Sequence, residues 1–283
     1  MSKKPEEKSK KTAEEKAADR LKTEAARSAA KVTLAGKTPR DFGEEKTKKV
    51  LNWIYRWGWA SPGTIEKIGG AQRTGLTTRL IKNKLVMKIR SASGGGVKGV
   101  PIYLVTLTKL GVEMHERNEK NSIGYEIDPY KINQNMLRHD QLAQTQTLEK
   151  LENKIIVEYK TERELAALSL ADVKQPDIIW INSNNKRIAV EIELSQKRKR
   201  ELDEFVRKTC LSLIAKLDKP SRFDFVFIYS DSQAILDNYN EAFEIGKETN
   251  KWEKDETRHF KVNGFFTIPE SIDGKIKWNL IKN

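Results

Sequence analysis

The sequence predicts an α+β protein in which a small, basic, helix-rich region with a β-ribbon precedes a larger region built on a central mixed sheet. Three observations predict it. Helical spacing dominates residues 46–118 until two β-like runs appear, whereas a helix, three strands, a helix and a strand follow one another from residue 133 to 231. Positive charge is concentrated in the first of these regions. The stretch KQPDIIWINSNNKRIAVEIELSQKR, Lys174 to Arg198, reads as two apolar strands joined by a turn and carries Asp177, Glu191 and Glu193.

The chain has 283 residues, 37% of them hydrophobic, and a formal net charge of +13. That length favours two folded domains. No apolar run approaches the roughly 20 residues needed to cross a bilayer. The N-terminal MSKKPEEKSKKTAEEK has no apolar segment behind it, which predicts the absence of a secretory signal and a cytoplasmic protein. A single cysteine, Cys210, excludes an internal disulfide and a thiolate metal cage.

Residues 1–40 hold 12 Lys/Arg against 6 Asp/Glu and no aromatic side chain. They cannot bury enough apolar area to offset the entropy of ordering, so residues 1–45 are expected to form a disordered basic arm. Residues 46–118 hold 14 Lys/Arg against 3 Asp/Glu, a net +11, while residues 119–283 hold 27 against 28. The surplus therefore lies in one region.

In that region KTKKVLNWIYRWG places Val50, Leu51, Ile54 and Trp57 at helical spacing and stops at Gly58. Ser61 offers an N-cap with Pro62 at the first helical position, opening PGTIEKIGG. QRTGLTTRLIKNKLV is a third helix. The β-like runs LVMKIRS and PIYLVTLT flank SGGGVKG, a glycine-rich tip bearing Lys98, and KLGVEMHER resumes as a helix. This order is that of a winged helix-turn-helix, and PIYLVTLTKLG resembles the second wing strand and exit of that family. The resemblance implies that residues 46–118 bind double-stranded DNA, with Arg73, Thr74, Thr77, Thr78, Arg79 and Lys82 turned toward a major groove and Lys98 toward the backbone. Phosphate neutralisation would supply most of the affinity.

EKNSIGYEIDPYKIN, residues 119–133, contains Gly124 and Pro129 and is expected to be a linker. QNMLRHDQLAQTQTLEKLENK then reads as an amphipathic helix, and IIVEYKTERELAAL as a strand followed by a helical or irregular half. PDIIWI and RIAVEIEL are an antiparallel hairpin around NSNNK. If the loop is symmetric about Asn184, Asp177 lies opposite Glu191, and Glu193, two residues on, shares their face. Ile188, Val190, Ile192 and Leu194 then face a core. Three acids so close repel one another, and a divalent cation, Mg²⁺ or Mn²⁺, held by Asp177, Glu191 and Glu193 relieves the repulsion. Of the C-terminal segments, SDSQAILDNYNEAFEIGKE reads as a helix. HFKVNGFFTIPESI and GKIKWNLIKN read as strands extending or covering the sheet, with Trp252, Phe260, Phe265, Phe266 and Trp278 expected in the core.

A Pro-Asp before one apolar strand, fourteen residues to an acid in the next, and then a helix is the order seen in PD-(D/E)xK nucleases, so residues 134–283 resemble a restriction-endonuclease-like α/β core. Joined to a winged helix through the His-bearing RHDQL, it is similar over residues 46–231 to the replication-relaxation family, which includes MobC-type relaxases of plasmid mobilisation. The resemblance implies a nickase acting at a plasmid origin of conjugative transfer or replication, meeting single-stranded DNA after nicking and relaxosome or coupling proteins as partners. Asp177 matches the motif's first acid and Glu191 its second, but Glu193 stands where the motif has lysine. Lys197, Lys199 or Lys208 is then the source of the ammonium, or Glu193 is a further metal ligand. Glu162 or Glu164 is a candidate upstream acid, and His139 a metal ligand or a proton donor to the leaving oxygen. Tyr125 and Tyr159 are conceivable nucleophiles that nothing in their context singles out. Two alternatives stand beside this reading: a plasmid replication or transcription regulator whose nuclease-like core has lost catalysis, and a dimeric endonuclease that breaks both strands.

Overall fold

The structure is a computed structural model that describes residues 19–21, 23–24, 37–70, 75–117, 123–166, 174–215 and 220–281. The chain divides into two compact units, Met1–Lys49 and Val50–Asn283. Most of the arm expected over residues 1–45 lies outside the described residues. Its last residues are helical, because Thr38 and Asp41 cap one another at the start of α1 (Pro39–Trp57): the Thr38 N–H donates to Asp41 Oδ2 at 2.9 Å and the Asp41 N–H to Thr38 Oγ1 at 3.2 Å.

In the second unit, α1 ends at Gly58, whose φ of +86° closes the helix in the left-handed region that other residues avoid. Ser61 accepts from the Thr64 N–H at 3.2 Å and caps α2 (Pro62–Ile68), as its sequence predicts. The third helix, α3, is shorter than expected, Leu76–Lys82. Gly75 before it has no side chain to cap with, so Glu66 of α2 does so across space, accepting from the N–H groups of Gly75, Leu76 and Thr77 at 3.0–3.3 Å. Strands β1 (Val86–Arg90) and β2 (Tyr103–Leu107) pair as the expected antiparallel ribbon, and α4 (Lys109–Glu116) follows behind its Thr108 cap.

The core does not stop at the linker expected over 119–133. One buried apolar cluster takes in Ile54, Leu80 and Val105 together with Ala143, Leu148, Tyr159 and Trp180. Polar groups cross the same boundary: Tyr125 donates to the Gly58 carbonyl at 2.6 Å and accepts from the Leu107 N–H at 3.0 Å. Gln144, fully buried, accepts from the Trp53 indole at 2.9 Å and donates to the Trp59 carbonyl at 3.0 Å.

Gln144 belongs to α5 (Leu137–Glu152), which packs on one face of a five-stranded mixed sheet. The strands are β3 (Ile156–Thr161), β4 (Ile178–Asn182), β5 (Arg187–Ile192), β6 (Phe225–Ser230) and β9 (Ile276–Leu280), side by side in that order. A short helix, α6 (Glu162–Ala166), follows β3. The β3–β4 and β4–β5 pairs are antiparallel, and β5–β6 and β6–β9 are parallel. A parallel pair needs a crossover, and α7 (Lys199–Leu213) supplies it between β5 and β6. Helices α7 and α8 (Gln233–Ala242) cover the second face through Phe205, Val206, Leu236 and Tyr239. The protein is thus α+β with a central mixed sheet.

The C-terminal strand β9 extends that sheet as expected. HFKVNGFF does not: β7 (Glu248–Lys254) and β8 (Phe260–Thr267) form a separate two-stranded ribbon. Phe260 and Phe265, expected in the core, are therefore exposed, because a two-stranded ribbon has too little neighbouring surface to bury both its faces. Asp203 of α7 pins the ribbon by accepting from Thr249 Oγ1, Asn250 Nδ2 and Trp252 Nε1, each at 2.8 Å. Among the described residues no helix is long and apolar enough to cross a membrane.

Candidate functional site

The β4–β5 register pairs Ile178 with Val190 and Ile179 with Ala189, so residue numbers across the hairpin sum to a constant that sets Asp177 opposite Glu191. The turn explains the register. Asn182 accepts from the N–H groups of Asn184 and Lys186 at 3.0 and 2.9 Å, and Asn185 takes a positive φ of 57°. Glu191 of β5 and Glu193 just beyond it are buried like their apolar neighbours Val190 and Ile192, because both sheet faces are covered.

Asp177, Glu191 and Glu193 line one open cleft of about 450 Å³ at the C-terminal end of β5, together with His139, Lys174 and Lys197. Each acid has a basic partner. Lys174 Nζ is 2.6 Å from Glu191 Oε2, Lys197 Nζ is 2.6 Å from both oxygens of Glu193, and His139 Nε2 is 3.0 Å from Asp177 Oδ2. The repulsion among three carboxylates is met by three cations of the chain itself. Asp177 Oδ2 also accepts from the Ile192 N–H at 2.8 Å, and Tyr239 donates to Glu193 Oε2 at 3.0 Å.

The site's electrostatics follow from this pairing. Burial works against a charged His139, but hydrogen bonds to Asp140 (3.1 Å) and Asp177 and their negative charges outweigh it and raise its pKa to about 10. His139 is therefore an imidazolium that donates from both nitrogens. Burial likewise opposes ionisation of Asp177, and His139 and Lys174 reverse the effect and hold it below the usual carboxylate range. Glu191 is pushed up to about 8 by burial, with Asp177 and Glu193 adding to the rise against the pull of Lys174. Lys174 is raised, since Glu191 and Asp177 overcome its own burial.

Lys174 is the participant that the sequence reading missed. It comes from the segment before β4, three residues ahead of Asp177, on the opposite side of the motif from the expected lysine position. Of the three lysines expected downstream, Lys197 does reach the cleft. Lys199 is exposed, and Lys208 turns along α7 to Glu204 at 3.4 Å. Glu164 is engaged elsewhere, at 3.1 Å from Arg56 Nε and accepting from the Thr161 N–H at 2.8 Å. Glu162 is the one that faces Asp177, and its pKa is raised by burial and by Asp177. Burial pushes both phenols, Tyr125 and Tyr159, up to about 12, which sets them away from nucleophilic use at neutral pH.

On the basic face, Thr78, Arg79 and Lys82 of α3 and Lys98 at the β1–β2 tip are exposed. Thr77 is turned inward, 7% exposed, with its hydroxyl donating to Glu66 at 2.9 Å, because it sits in the first turn that Glu66 caps. Arg73 and Thr74 lie outside the described residues.

Among the described residues no three His, Cys, Asp or Glu side chains are grouped so as to hold a metal ion. Glu193 faces Lys197 and Tyr239 rather than completing a set with Asp177 and Glu191. Those two acids, opposed across the hairpin and lining the same cleft, retain the donor chemistry of a site that takes one or two carboxylates and completes itself with water and phosphate oxygens. No family model matches the sequence, and no curated protein matches it.

Proposed function

We propose that the protein is a DNA-binding nickase: a winged helix, residues 46–118, grips duplex DNA, and a PD-(D/E)xK-like core cuts one strand at a plasmid transfer or replication origin. The observation that carries this reading is the opposition of Asp177 and Glu191 at the mouth of an open cleft, with the ammonium of Lys174 against Glu191. An acid pair beside a cation is an arrangement that can support metal-assisted hydrolysis of a phosphodiester. Bound between Asp177 and Glu191, Mg²⁺ or Mn²⁺ would polarise the phosphate and acidify a water. Lys174 would take the part the motif assigns to its lysine, steadying charge on the phosphate, and Lys197 would hold Glu193 out of the donor set. His139, with its two ring nitrogens on Asp140 and Asp177, would hold Asp177 in place for the cation.

A second reading, a regulator with a silent core, is favoured by the pairing of every acid in the cleft with a base. Supercoiled DNA carrying the gene's own neighbourhood separates the two. With Mg²⁺ or Mn²⁺ the parent is expected to give relaxed circles, and Asp177→Asn and Glu191→Gln to lose about 100-fold or more of that rate while still binding DNA. No relaxed product from a folded, DNA-binding parent leaves the regulator, and linear product points to a double-strand endonuclease.

A further inference from the structure

The tip of the β1–β2 ribbon and the acid cleft share a wall. The Ala92 N–H at the tip donates to Gln134 Oε1 at 3.0 Å, and the next two residues, Asn135 and Met136, line the cleft. Arg138 follows, in the first turn of α5. Gly99 of the tip lies against it so closely that a Cβ on Gly99 would meet Arg138 Cγ and Nε at 3.4 Å. The far end of Arg138 donates to Asp231, just beyond β6. A guanidinium has five donors, and the Arg138 side chain, which lines the cleft, remains 35% exposed. The other cations lining the cleft, His139, Lys174 and Lys197, each lie against a carboxylate within 3.0 Å. Arg138 lies against a carboxylate too, but its guanidinium has five donors where an ammonium has three and an imidazolium two, so an anion entering between tip and cleft meets it as the cation with the most donors to spare.

We propose that Arg138 holds a backbone phosphate of the DNA strand that runs from the ribbon tip into the cleft, so that grip at the tip and placement of a phosphodiester over Asp177 and Glu191 are one event. The proposal rests on the DNA-binding reading above. A planar guanidinium fork matches phosphate oxygens two at a time, and Asp231 sets its plane. Arg138 is thus a positioning residue whose loss removes one phosphate contact and leaves the acids of the cleft untouched.

The test is fluorescence anisotropy of a short labelled duplex with the full chain across a series of NaCl concentrations. Each phosphate contact contributes about 0.9 to the slope of log K against log salt. Arg138→Gln is expected to lower the slope by about that amount, while Lys277→Gln, an exposed lysine outside the cleft, leaves it unchanged. Arg138→Lys, which keeps the charge and loses the fork, is expected to retain the slope and bind a few-fold more weakly, and this variant carries the test if Arg138→Gln does not fold. A steep slope in the parent that Arg138→Gln leaves intact overturns the proposal and spares the DNA-binding reading. Equal losses in Arg138→Gln and Lys277→Gln, or parent-like affinity in Arg138→Lys, also overturn it, since the effect would then not belong to the Arg138 fork. A flat slope in the parent removes the DNA-binding reading and the proposal with it.

Discussion

Replacing Gln144 by leucine should weaken the whole of the second unit, not one end of it. Gln144 is fully buried on α5 and spans two groups of the N-terminal helical region, accepting from the Trp53 indole and donating to the Trp59 carbonyl. Leucine is similar in size and leaves no cavity. It does leave a buried N–H and a buried carbonyl without these partners, at about 1–3 kcal/mol each, so about 2–6 kcal/mol is at stake. For a unit of this size that corresponds to a fall in Tm of roughly 4–24 °C. Trp53 and Ala143 lie in the same buried cluster as Trp180 of the sheet, so tryptophan fluorescence and circular dichroism should report one transition, shifted together. A loss under about 1 kcal/mol, or two transitions of which only one moves, would refute the idea that the helical region and the sheet fold on a common core.

Two further outcomes follow from the geometry. Asp203→Ala removes the acceptor shared by Thr249, Asn250 and Trp252, so amide exchange should quicken over β7 and β8 and stay unchanged in β4 and β5; uniform protection in the variant would show that other contacts hold the ribbon. Glu191 and His139 both bind a proton more tightly in the folded chain than unfolded, rising from 4.5 to about 8 and from 6.5 to about 10, so the stability they contribute is complete at low pH and lost as pH climbs through those values. Urea midpoints should decline from pH 5 to pH 10, with Glu191→Gln removing the earlier part of the decline and His139→Gln the later part; midpoints that rise over this range would contradict both assignments.

The hairpin that carries the acids was legible because its determinants are local. Alternation sets which residues share a face, NSNNK sets where the chain turns, and together they place Asp177 opposite Glu191 before any long-range contact is considered. The cap at Ser61 was legible for the same reason. Lys174 was not, because the segment before β4 carries no periodicity, and only the fold decides that its ammonium returns over Glu191. The separation of β8 from the main sheet was equally hidden: its strand-like pattern says that it pairs, and says nothing about whether the partner is β7 or the sheet edge, which β9 takes through a pairing distant in sequence. The inward turn of Thr77 depended on Glu66, eleven positions upstream and on another helix.

That last contact sets the mechanical character of the basic face. Because Glu66 receives three successive N–H groups at the head of α3, the short helix is tied to its predecessor across space. Its aim is inherited from α2. A change at Glu66 would accordingly swing Thr78, Arg79 and Lys82 all at once.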